Sequence, residues 1–500
     1  MKYISTRDNF KAVSSIEAIK MGMVPEGGLF VPEEIPVISQ EQLSKWVNFS
    51  YAQLAEKIFC LFLAEDFSQK EIYRIVQQIY NKEHFETEEI TPLKQLNNQL
   101  FILELFHGPT GAFKDIALQA LPLILAEASK KLALTNQLLI LVATSGDTGK
   151  AALEGFKNIP GIQIVVYYPF QKVSKIQELQ MLTTEGNNTQ VIALDGNFDD
   201  CQNAVKQIFA DQGFTDFLKE KGFEFSSANS INWGRLFPQI VYYFYAYLSL
   251  LGKNQIQSKE KINFVVPTGN FGNILAAWYA KEMGLPIEKL ICASNINKVL
   301  SDFFHSGVYD VNRPLVTTIS PSMDILISSN LERFLFEISE RQGELIVKLM
   351  KNLREIGKFK IEDFMKNKMR EIIYAGYTDE NETLATIKSV YQNYHYLVDP
   401  HTAVGIKVFS DYQNASKSKT KTVLDATATP FKFNRAVLTS LLGENLVHNK
   451  DELILLQMLS EYTGLAIPAM LQDLGNKPIK NSFIYPKDRV KESLLEVLKI

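Results

Sequence analysis

Apolar and polar positions alternate along the chain in two different ways, and the change comes near residue 98. Before it, apolar residues recur mostly at helical spacing, interrupted by a turn-rich stretch at Met23–Pro32. After it, short β-rich runs are followed by amphipathic helical stretches. The candidate strands are Leu100–Leu105, Leu138–Ala143, Gln163–Tyr168, Gln190–Leu194, Ile262–Val266, Leu290–Ser294 and Thr422–Ala426. This order predicts an α/β protein whose parallel sheets are covered by helices on both faces.

Composition narrows the possible partners. The chain has 500 residues, 46% of them hydrophobic, with a formal net charge of -4 and no block of like charges. That balance argues against nucleic acid or an anionic membrane as the main partner, and the longest apolar run, Ile240–Leu251, is too short to span a bilayer. The three cysteines and six histidines lack the spacings of a disulfide framework or a metal site. We therefore expect a cytoplasmic protein without a protein-held metal.

One lysine lies where a loop gives way to a helix. Lys114 follows the stretch His107–Phe113, which contains two glycines and a proline, and precedes apolar residues at three- and four-residue steps. The charged form of a lysine is disfavoured at a helix N-terminus, where the dipole is positive. If Lys114 is also buried, its pKa falls and its amine becomes a nucleophile or a base. On position alone, an ordinary solvated lysine is the alternative.

Two further loops, Thr144–Lys150 and Pro267–Asn273, each join a strand to a helix. Ligands of open α/β sheets bind at such junctions, where glycine-rich backbone and a helix N-terminus favour an anion. The first loop is not a nucleotide-binding Walker motif, because Thr144 replaces its first glycine and Ala151 its hydroxyl residue. Each loop alone is equally well explained as a structural turn. Together with Lys114 they fit an aldehyde cofactor held by its phosphate and by a Schiff base.

The motifs in these loops resemble those of threonine synthase, a pyridoxal phosphate (PLP) enzyme of the tryptophan-synthase β-like fold. They read His-Gly-Pro-Thr-Gly-Ala-Phe-Lys-Asp at 107–115, Thr-Ser-Gly-Asp-Thr-Gly at 144–149 and Pro-Thr-Gly-Asn-Phe-Gly-Asn at 267–273. Similar stretches at 5–7, 25–32, 229–235, 321–325 and 397–405 extend the resemblance over nearly the whole chain. Two positions depart from the family pattern. Thr429 stands where a histidine is common, and Lys150 stands where small residues are usual.

The resemblance implies roles around the cofactor. Lys114 is implied as the Schiff-base lysine and the proton-transfer base, and Asp147 as the residue near the 3′-oxygen of the cofactor ring. Thr427 is expected against the pyridine nitrogen, with Thr429 as the alternative. The cofactor phosphate is expected on the backbone N–H groups of five residues, two of which add side-chain amides: Gly269, Asn270, Phe271, Gly272 and Asn273.

The implied substrate is O-phospho-L-homoserine, which reacts with water to give L-threonine and phosphate by γ-elimination and β-addition of water. Its anionic groups need hydrogen-bond donors. The expected substrate contacts are Ser145, Thr148, Ser230, Asn232 and Arg235. For His107, the sequence allows either a contact with a ligand or a structural role. For Lys150, it allows either a charge near the substrate phosphate or an ordinary solvated lysine. For Asp399 and His401 we expect only a turn and a cap before a helix at Thr402–Phe409.

The resemblance also implies two parallel-sheet α/β domains of the fold type II PLP kind, preceded by a helical N-terminal segment. The expected divisions are 1–95 for the N-terminal segment, 96–144 with 251–500 for the large PLP-binding domain, and 145–250 for a smaller mobile domain. The oligomeric state is open between a monomer and a homodimer. Alternative functions are a related PLP phospho-lyase, a serine/threonine dehydratase and a non-catalytic paralogue.

Overall fold

The computed structural model describes residues 1–480 and 483–500. Its strands are β1 (Tyr3–Ser5), β2 (Phe30–Pro32), β3 (Leu93–Gln95), β4 (Leu100–Glu104), β5 (Gln137–Ala143), β6 (Ile162–Pro169), β7 (Thr189–Asp195), β8 (Phe223–Ser226), β9 (Ile262–Pro267), β10 (Ile287–Ser294), β11 (Val308–Asp310), β12 (Lys358–Lys360), β13 (Ile373–Tyr377), β14 (Thr422–Ala426) and β15 (Phe483–Pro486). The seven strands predicted from the sequence are confirmed to within three residues at either end.

The α-helices between these strands include a run of four before β3 and long helices on both sides of the sheets. They are α1 (Ser15–Met21), α2 (Gln40–Lys45), α3 (Tyr51–Leu63), α4 (Gln69–Ile79), α5 (Lys114–Leu118), α6 (Ala120–Lys131), α7 (Asp147–Phe156), α8 (Lys175–Leu182), α9 (Phe198–Ala210), α10 (Gln212–Glu220), α11 (Trp233–Leu236), α12 (Ile240–Gly252), α13 (Gly272–Glu282), α14 (Val299–Ser306), α15 (Leu331–Ile338), α16 (Gly343–Ile356), α17 (Asp363–Ile372), α18 (Glu380–Tyr394), α19 (Pro400–Ser416), α20 (Asn434–Leu442), α21 (Glu452–Thr463) and α22 (Val490–Leu498). Among the described residues, no helix has both the length and the apolar character needed to cross a membrane.

The larger sheet has six strands in the order β13-β10-β9-β14-β4-β3, all parallel except β3. Successive residues of a strand point to opposite faces, so a buried parallel strand is apolar throughout. Val265 and Leu424 pack toward α19 on one face, whereas Phe264 and Val423 pack toward α12 and α13 on the other. The expected parallel sheet covered on both faces is therefore confirmed.

The smaller sheet has five parallel strands in the order β15-β7-β6-β5-β8. Helices α9 and α22 cover one face, and α7 covers the other. Its strands do not follow the expected division at 145–250, because β5 begins at Gln137 and β15 is supplied from Phe483–Pro486. β15 was not predicted from the sequence because it is short and ends at a proline. This sheet is therefore built from the middle and the late part of the chain.

The N-terminal segment is mostly helical, as expected, and it is fastened to the larger unit. Each of its four helices begins at a serine whose side chain caps the backbone, which is a strong start signal: Ser14, Ser39, Ser50 and Ser68. Ahead of them, the Oγ1 of Thr6 donates to a carboxylate oxygen of Glu332 in α15 at 2.6 Å. Arg7 donates to both oxygens of the same carboxylate at 2.9 and 2.8 Å. The segment thus contacts a helix that lies more than 300 residues further along the chain.

The functional loops follow the carboxyl ends of three neighbouring strands of the larger sheet. Ala426 at the end of β14 pairs with Glu104 at the end of β4, and β9 ends beside them at Pro267. Parallel strands bring their following loops to one edge of a sheet, which is where ligands bind in open α/β folds. The loop after β5 in the smaller sheet leads to Asp147, which contacts this edge through Lys114.

Candidate active site

Lys114 is the first residue of α5, as the sequence predicts, and its side chain is buried. Its Nζ lies 3.3 Å from the Oγ of Ser322 and 3.6 Å from a carboxylate oxygen of Asp147. Burial lowers the pKa of Lys114 to about 8, although the charge of Asp147 opposes that shift. About a tenth of the amine is then unprotonated at pH 7, which is what a nucleophile or a base requires.

The loop that carries Lys114 is held by the segment that follows β14. The backbone N–H of Phe113 donates to the carbonyl of Thr427 at 2.8 Å, and the N–H of Thr429 donates to the carbonyl of Gly111 at 3.0 Å. These two bonds place Lys114 beside both threonines. In the described part of the chain, neither threonine hydroxyl has a hydrogen-bond partner, and both residues are largely buried. Either hydroxyl is therefore available to a ligand.

Asp147 begins α7 and is buried between two lysines. The Nζ of Lys432 lies 2.6 Å from one of its carboxylate oxygens, and the Nε2 of Gln177 donates to it at 2.8 Å. Burial alone would raise the pKa of Asp147, but the charges of Lys432 and Lys114 outweigh it and hold the pKa well below its usual range. Lys432 is fully buried and also donates to the carbonyl of Thr110 at 3.0 Å. Asp147 is thus an ionised acceptor that joins the smaller sheet to the larger one.

The loop after β9 offers a row of backbone donors. Leu275 is the first residue there whose N–H bonds back along α13, to the carbonyl of Phe271 at 3.1 Å. Among the described residues, the N–H groups of 269–273 have no acceptor. Only glycine fits at 269, since a Cβ there would lie 2.5 Å from the carbonyl oxygen of Ser322. Free N–H groups at the start of a helix suit an anion, and the cofactor phosphate expected on this loop stays a prediction.

The carbonyl groups of the same loop are held from behind by the segment before α15. Ser328 donates its hydroxyl to the carbonyl of Gly269 at 2.6 Å. Asn330 donates its backbone N–H and its side-chain amide to the carbonyl of Asn270 at 3.2 and 3.1 Å. These bonds hold the loop in place while its N–H groups stay without an acceptor among the described residues.

Asn273 corrects one expectation. Its side-chain oxygen accepts hydrogen bonds from the hydroxyls of Tyr242 and Tyr243, and its Nδ2 donates to Asp425 at 3.1 Å. The amide is therefore used inside a buried network beneath the loop and does not serve as an extra phosphate donor. Its backbone N–H remains part of the row described above. The side chain of Asn270 is exposed and has no partner among the described residues.

Arg235 lies in α11 and is buried, yet among the described residues no carboxylate pairs with it. One of its nitrogens donates to the carbonyl of Ala228 at 2.9 Å. Burial lowers the pKa of Arg235 to about 10, so the group stays charged at neutral pH. Its charge also acts on the amine of Lys114. A buried cation without a counter-ion is a costly arrangement for a fold, and it fits an anionic ligand.

The neutral residues expected around the substrate divide into two groups. Ser145, Thr148 and Ser230 are partly exposed, and their hydroxyls have no hydrogen-bond partner among the described residues. Asn232 is fully buried, and its Nδ2 donates to the carbonyls of Ile19 and Ser227 at 2.9 and 2.7 Å. Its Oδ1 caps α11. The expected substrate contact of Asn232 is therefore corrected to a structural role.

His107 and Lys150 both have structural partners. His107 contacts Glu104 at 2.8 Å and Glu86 at 3.3 Å. Lys150 is buried, with its Nζ 2.8 Å from a carboxylate oxygen of Glu154 and 2.9 Å from the hydroxyl of Thr184. Lys150 is thus neither solvated nor free to meet a substrate phosphate.

Three residues of this region were not predicted as site residues: Ser322, Lys432 and His401. Ser322 and His401 lie in stretches that resemble the family, at 321–325 and 397–405, whereas Lys432 follows Thr429, where the chain departs from the family pattern. For Ser322 and His401, that resemblance was the signal in the sequence that could have identified them. Asp399 caps α19 as expected, accepting from the N–H groups of His401 and Thr402.

Known proteins match this sequence and this fold over most of the chain. The family model for the threonine synthase N terminus matches residues 2–80, and the model for pyridoxal-phosphate dependent enzymes matches residues 84–352. The threonine synthase of Pseudomonas aeruginosa is 39% identical over 444 residues, which are 89% of this chain and 91% of that protein. The chain belongs to the threonine synthase family. It is a PLP-dependent enzyme of that family with the corresponding fold.

Two further members of the threonine synthase family extend this comparison. The crystal structure of PLP-bound threonine synthase from Brucella melitensis aligns with a TM-score of 0.87 and 37% identity, covering 99% of each chain. Human threonine synthase-like 1 is 40% identical over 459 residues, and the match spans 90% of this chain but 60% of that protein. Proteins of different lengths therefore match this chain.

Proposed function

We propose that this chain converts O-phospho-L-homoserine and water to L-threonine and phosphate. The name of the Pseudomonas aeruginosa relative supports this reaction. The observation that carries the proposal is the charge of the site. Two buried lysines, Lys114 and Lys432, act on the ionised carboxylate of Asp147, and the charge of a third buried cation, Arg235, acts on Lys114. The site therefore has an excess of positive charge that suits a phosphorylated cofactor and a phosphorylated amino acid.

The residues present fit PLP. Lys114 offers a buried amine of lowered pKa for the covalent link, and the unbonded N–H groups of 269–273 suit its phosphate. Asp147 would contact the ring near its 3′-oxygen and Thr427 the pyridine nitrogen, with Thr429 as the alternative. When bound, the cofactor supplies an electron sink for charge developed at the α-carbon of the substrate.

The other residues bind the substrate and move protons. Once freed, the Lys114 amine is placed to take the α-proton, because it is buried and partly unprotonated at neutral pH. Arg235 provides a planar fork for the phosphate or the carboxylate, and Ser145, Thr148 and Ser230 add neutral donors. These donors would also retain the released phosphate, which could then act as a base for the attacking water.

The role of Thr427 has a direct test. Thr427→Ala should slow turnover while leaving the cofactor bound, because the hydroxyl contributes one hydrogen bond of about 1 kcal/mol and not the covalent link. Turnover and the visible absorption of the purified protein measure both quantities. Thr429→Ala is the matched variant, and an effect confined to it would transfer the role to Thr429.

The reaction itself is tested by its products. Purified protein with PLP is given O-phospho-L-homoserine, and threonine, 2-oxobutyrate and phosphate are measured. Threonine in proportion to phosphate supports the proposal. Phosphate with 2-oxobutyrate would support the phospho-lyase or dehydratase alternative, and no turnover would support a non-catalytic paralogue. Lys114→Ala should lose both turnover and the borohydride-sensitive visible band.

We also propose the setting of this reaction. The substrate is a small molecule, and the net charge of -4 supports neither nucleic acid nor an anionic membrane as a partner. A cytoplasmic location and a monomer or homodimer follow the expectations from the sequence. The five-stranded sheet unit is proposed to close over the substrate, because it carries Asp147, Ser145 and Thr148 toward Lys114.

A further inference from the structure

Among the described residues, Ser322 is the nearest hydrogen-bonding neighbour of the Lys114 amine. Its Oγ lies 3.3 Å from Nζ, whereas the carboxylate of Asp147 is 3.6 Å away and is bonded more closely by Lys432 at 2.6 Å. A hydroxyl can accept a hydrogen bond from an ammonium group and donate one to a neutral amine. Ser322 can therefore remain bonded to Lys114 in either protonation state.

The backbone of Ser322 is fixed on two sides. Its carbonyl oxygen packs against Gly269, where even a Cβ would come within 2.5 Å, so the serine cannot shift without disturbing the loop after β9. Its N–H donates to the Nε2 of His401 at 3.2 Å. On the C-terminal side, Asp324 accepts from the N–H of Thr318 at 2.8 Å and from the amide of Asn295 at 2.8 Å.

His401 is itself held in one orientation. Its Nδ1 lies 2.6 Å from a carboxylate oxygen of Asp399, and its ring packs edge-on against Phe433 at 4.8 Å. Because Nε2 accepts the N–H of Ser322, the ring proton belongs on Nδ1, where it donates to Asp399. His401 is almost completely buried, so water does not compete for either nitrogen. The contacts run in order from Asp399 through His401 and Ser322 to Lys114.

We propose that Ser322 holds the Lys114 amine in place for proton transfer, and that His401 and Asp399 are positioning residues that fix Ser322. This inference rests on the proposed role of Lys114 as the base. It gives Asp399 and His401 a function beyond capping α19. It also gives a purpose to the contact between Ser322 and the Nε2 of His401, which joins residues 79 positions apart.

The test compares holoenzyme variants of one loop. In Ser322→Ala, kcat should fall about tenfold or more, with KM changed less than about threefold, because the lost contact is to the amine and not to the substrate. The pH midpoint of the visible band, which reports the nitrogen of Lys114, should fall by about half a unit or more, since an acceptor for its proton is removed. Ser322→Thr should recover most of both. Ser320→Ala is the matched control, because that hydroxyl bonds Asn295 and not Lys114.

His401 is tested through the same readouts. His401→Leu should reproduce the Ser322→Ala changes, and the double variant should show no further loss, because both changes break one chain of contacts. His401→Gln, which can still accept the N–H of Ser322, should be milder and guards against misfolding of the leucine variant. An unchanged band midpoint with kcat within threefold in Ser322→Ala would overturn the proposal, and additive losses would remove His401 from it. If the wild-type protein makes no threonine, the proposed function fails, whereas the band midpoint still tests the Ser322 contact.

Discussion

At the scale of single residues, Arg235 links the stability of the fold to the proposed binding of substrate. Its guanidinium is buried with one carbonyl partner and no carboxylate among the described residues. Arg235→Met should raise the free energy of unfolding of the ligand-free protein by about 1–3 kcal/mol, because an uncompensated buried charge is removed. The same change should lower kcat/KM at least about 100-fold, through the loss of charge-assisted bonds to the substrate.

A control for this prediction is Arg435→Met. Arg435 donates to the carbonyls of Val447, His448 and Lys450, away from the site. That variant should lose stability and keep its activity, the reverse of Arg235→Met. Urea unfolding and steady-state kinetics measure both. A destabilised Arg235→Met protein would show that the guanidinium serves the fold.

His107 gives stability a pH dependence. Burial alone would lower the pKa of His107, but hydrogen bonds to Glu104 and Glu86 outweigh it and raise the pKa to about 9. Charged His107 therefore stabilises the fold fully below about pH 6.5, the value in an unfolded chain, and this contribution is lost as the pH rises through about 9. The stability lost in His107→Gln, at most about 3 kcal/mol, should shrink over that range in urea unfolding. A loss that is equal at pH 6 and pH 10 would contradict the charge assignment.

At the scale of elements, Arg333 of α15 connects three parts of the chain. It donates to the carbonyl of Phe30 at 2.9 Å, to the side chain of Asn330 at 2.6 Å and to the carbonyl of Ile231 at 2.5 Å. Asn330 in turn holds the carbonyl of Asn270. The N-terminal segment, the loop before Arg235 and the loop after β9 are thus fixed to one another through a single guanidinium.

Arg333→Lys should therefore weaken several elements at once. A lysine keeps the charge but cannot reach three separated acceptors in one plane, so we expect a loss of roughly 2–4 kcal/mol in stability and weaker retention of the cofactor. Arg341→Lys, which alters an ion pair with Glu337 nearer the surface, is the control. Thermal unfolding and cofactor loss on dialysis measure the two effects. Equal behaviour of the two variants would argue against the connection.

The elements also show what a sequence reveals. Lys114, Asp147 and the glycine loop could be placed because strand ends and helix starts have local signatures. The hydrogen bonds made by the side-chain amides of Asn232 and Asn273 could not be predicted, because their partners Ile19 and Asp425 are 213 and 152 residues away. The same holds for Ser322, whose contacts with Lys114 and His401 depend on how distant loops meet. β13 was also missed, because its sequence Ile-Tyr-Ala-Gly-Tyr carries a glycine that weakens the strand pattern.

At the scale of the whole molecule, the two sheet units meet closely where α7 packs on α5. A Cβ at Gly155 would lie 1.9 Å from the carbonyl oxygen of Leu118, so the two backbones touch there. We expect the smaller unit to move about such a close contact when substrate binds. Substrate with cofactor should then protect residues 145–250 from limited proteolysis, followed by mass spectrometry. The Lys114→Ala protein should show no protection, and equal cleavage of the wild type with and without substrate would count against closure.

Strand β15 lies near the end of the chain, and its position affects how the smaller sheet forms during synthesis. Strand β7 must wait nearly 300 residues of synthesis for the neighbour that completes its outer edge. Until then, on the ribosome, β7 presents unpaired N–H and C=O groups that could recruit another nascent chain. The larger sheet, whose last strand β14 is made earlier, can form first and give the unfinished unit a surface to fold against. Biogenesis of this enzyme is thus expected to depend on the final stage of translation.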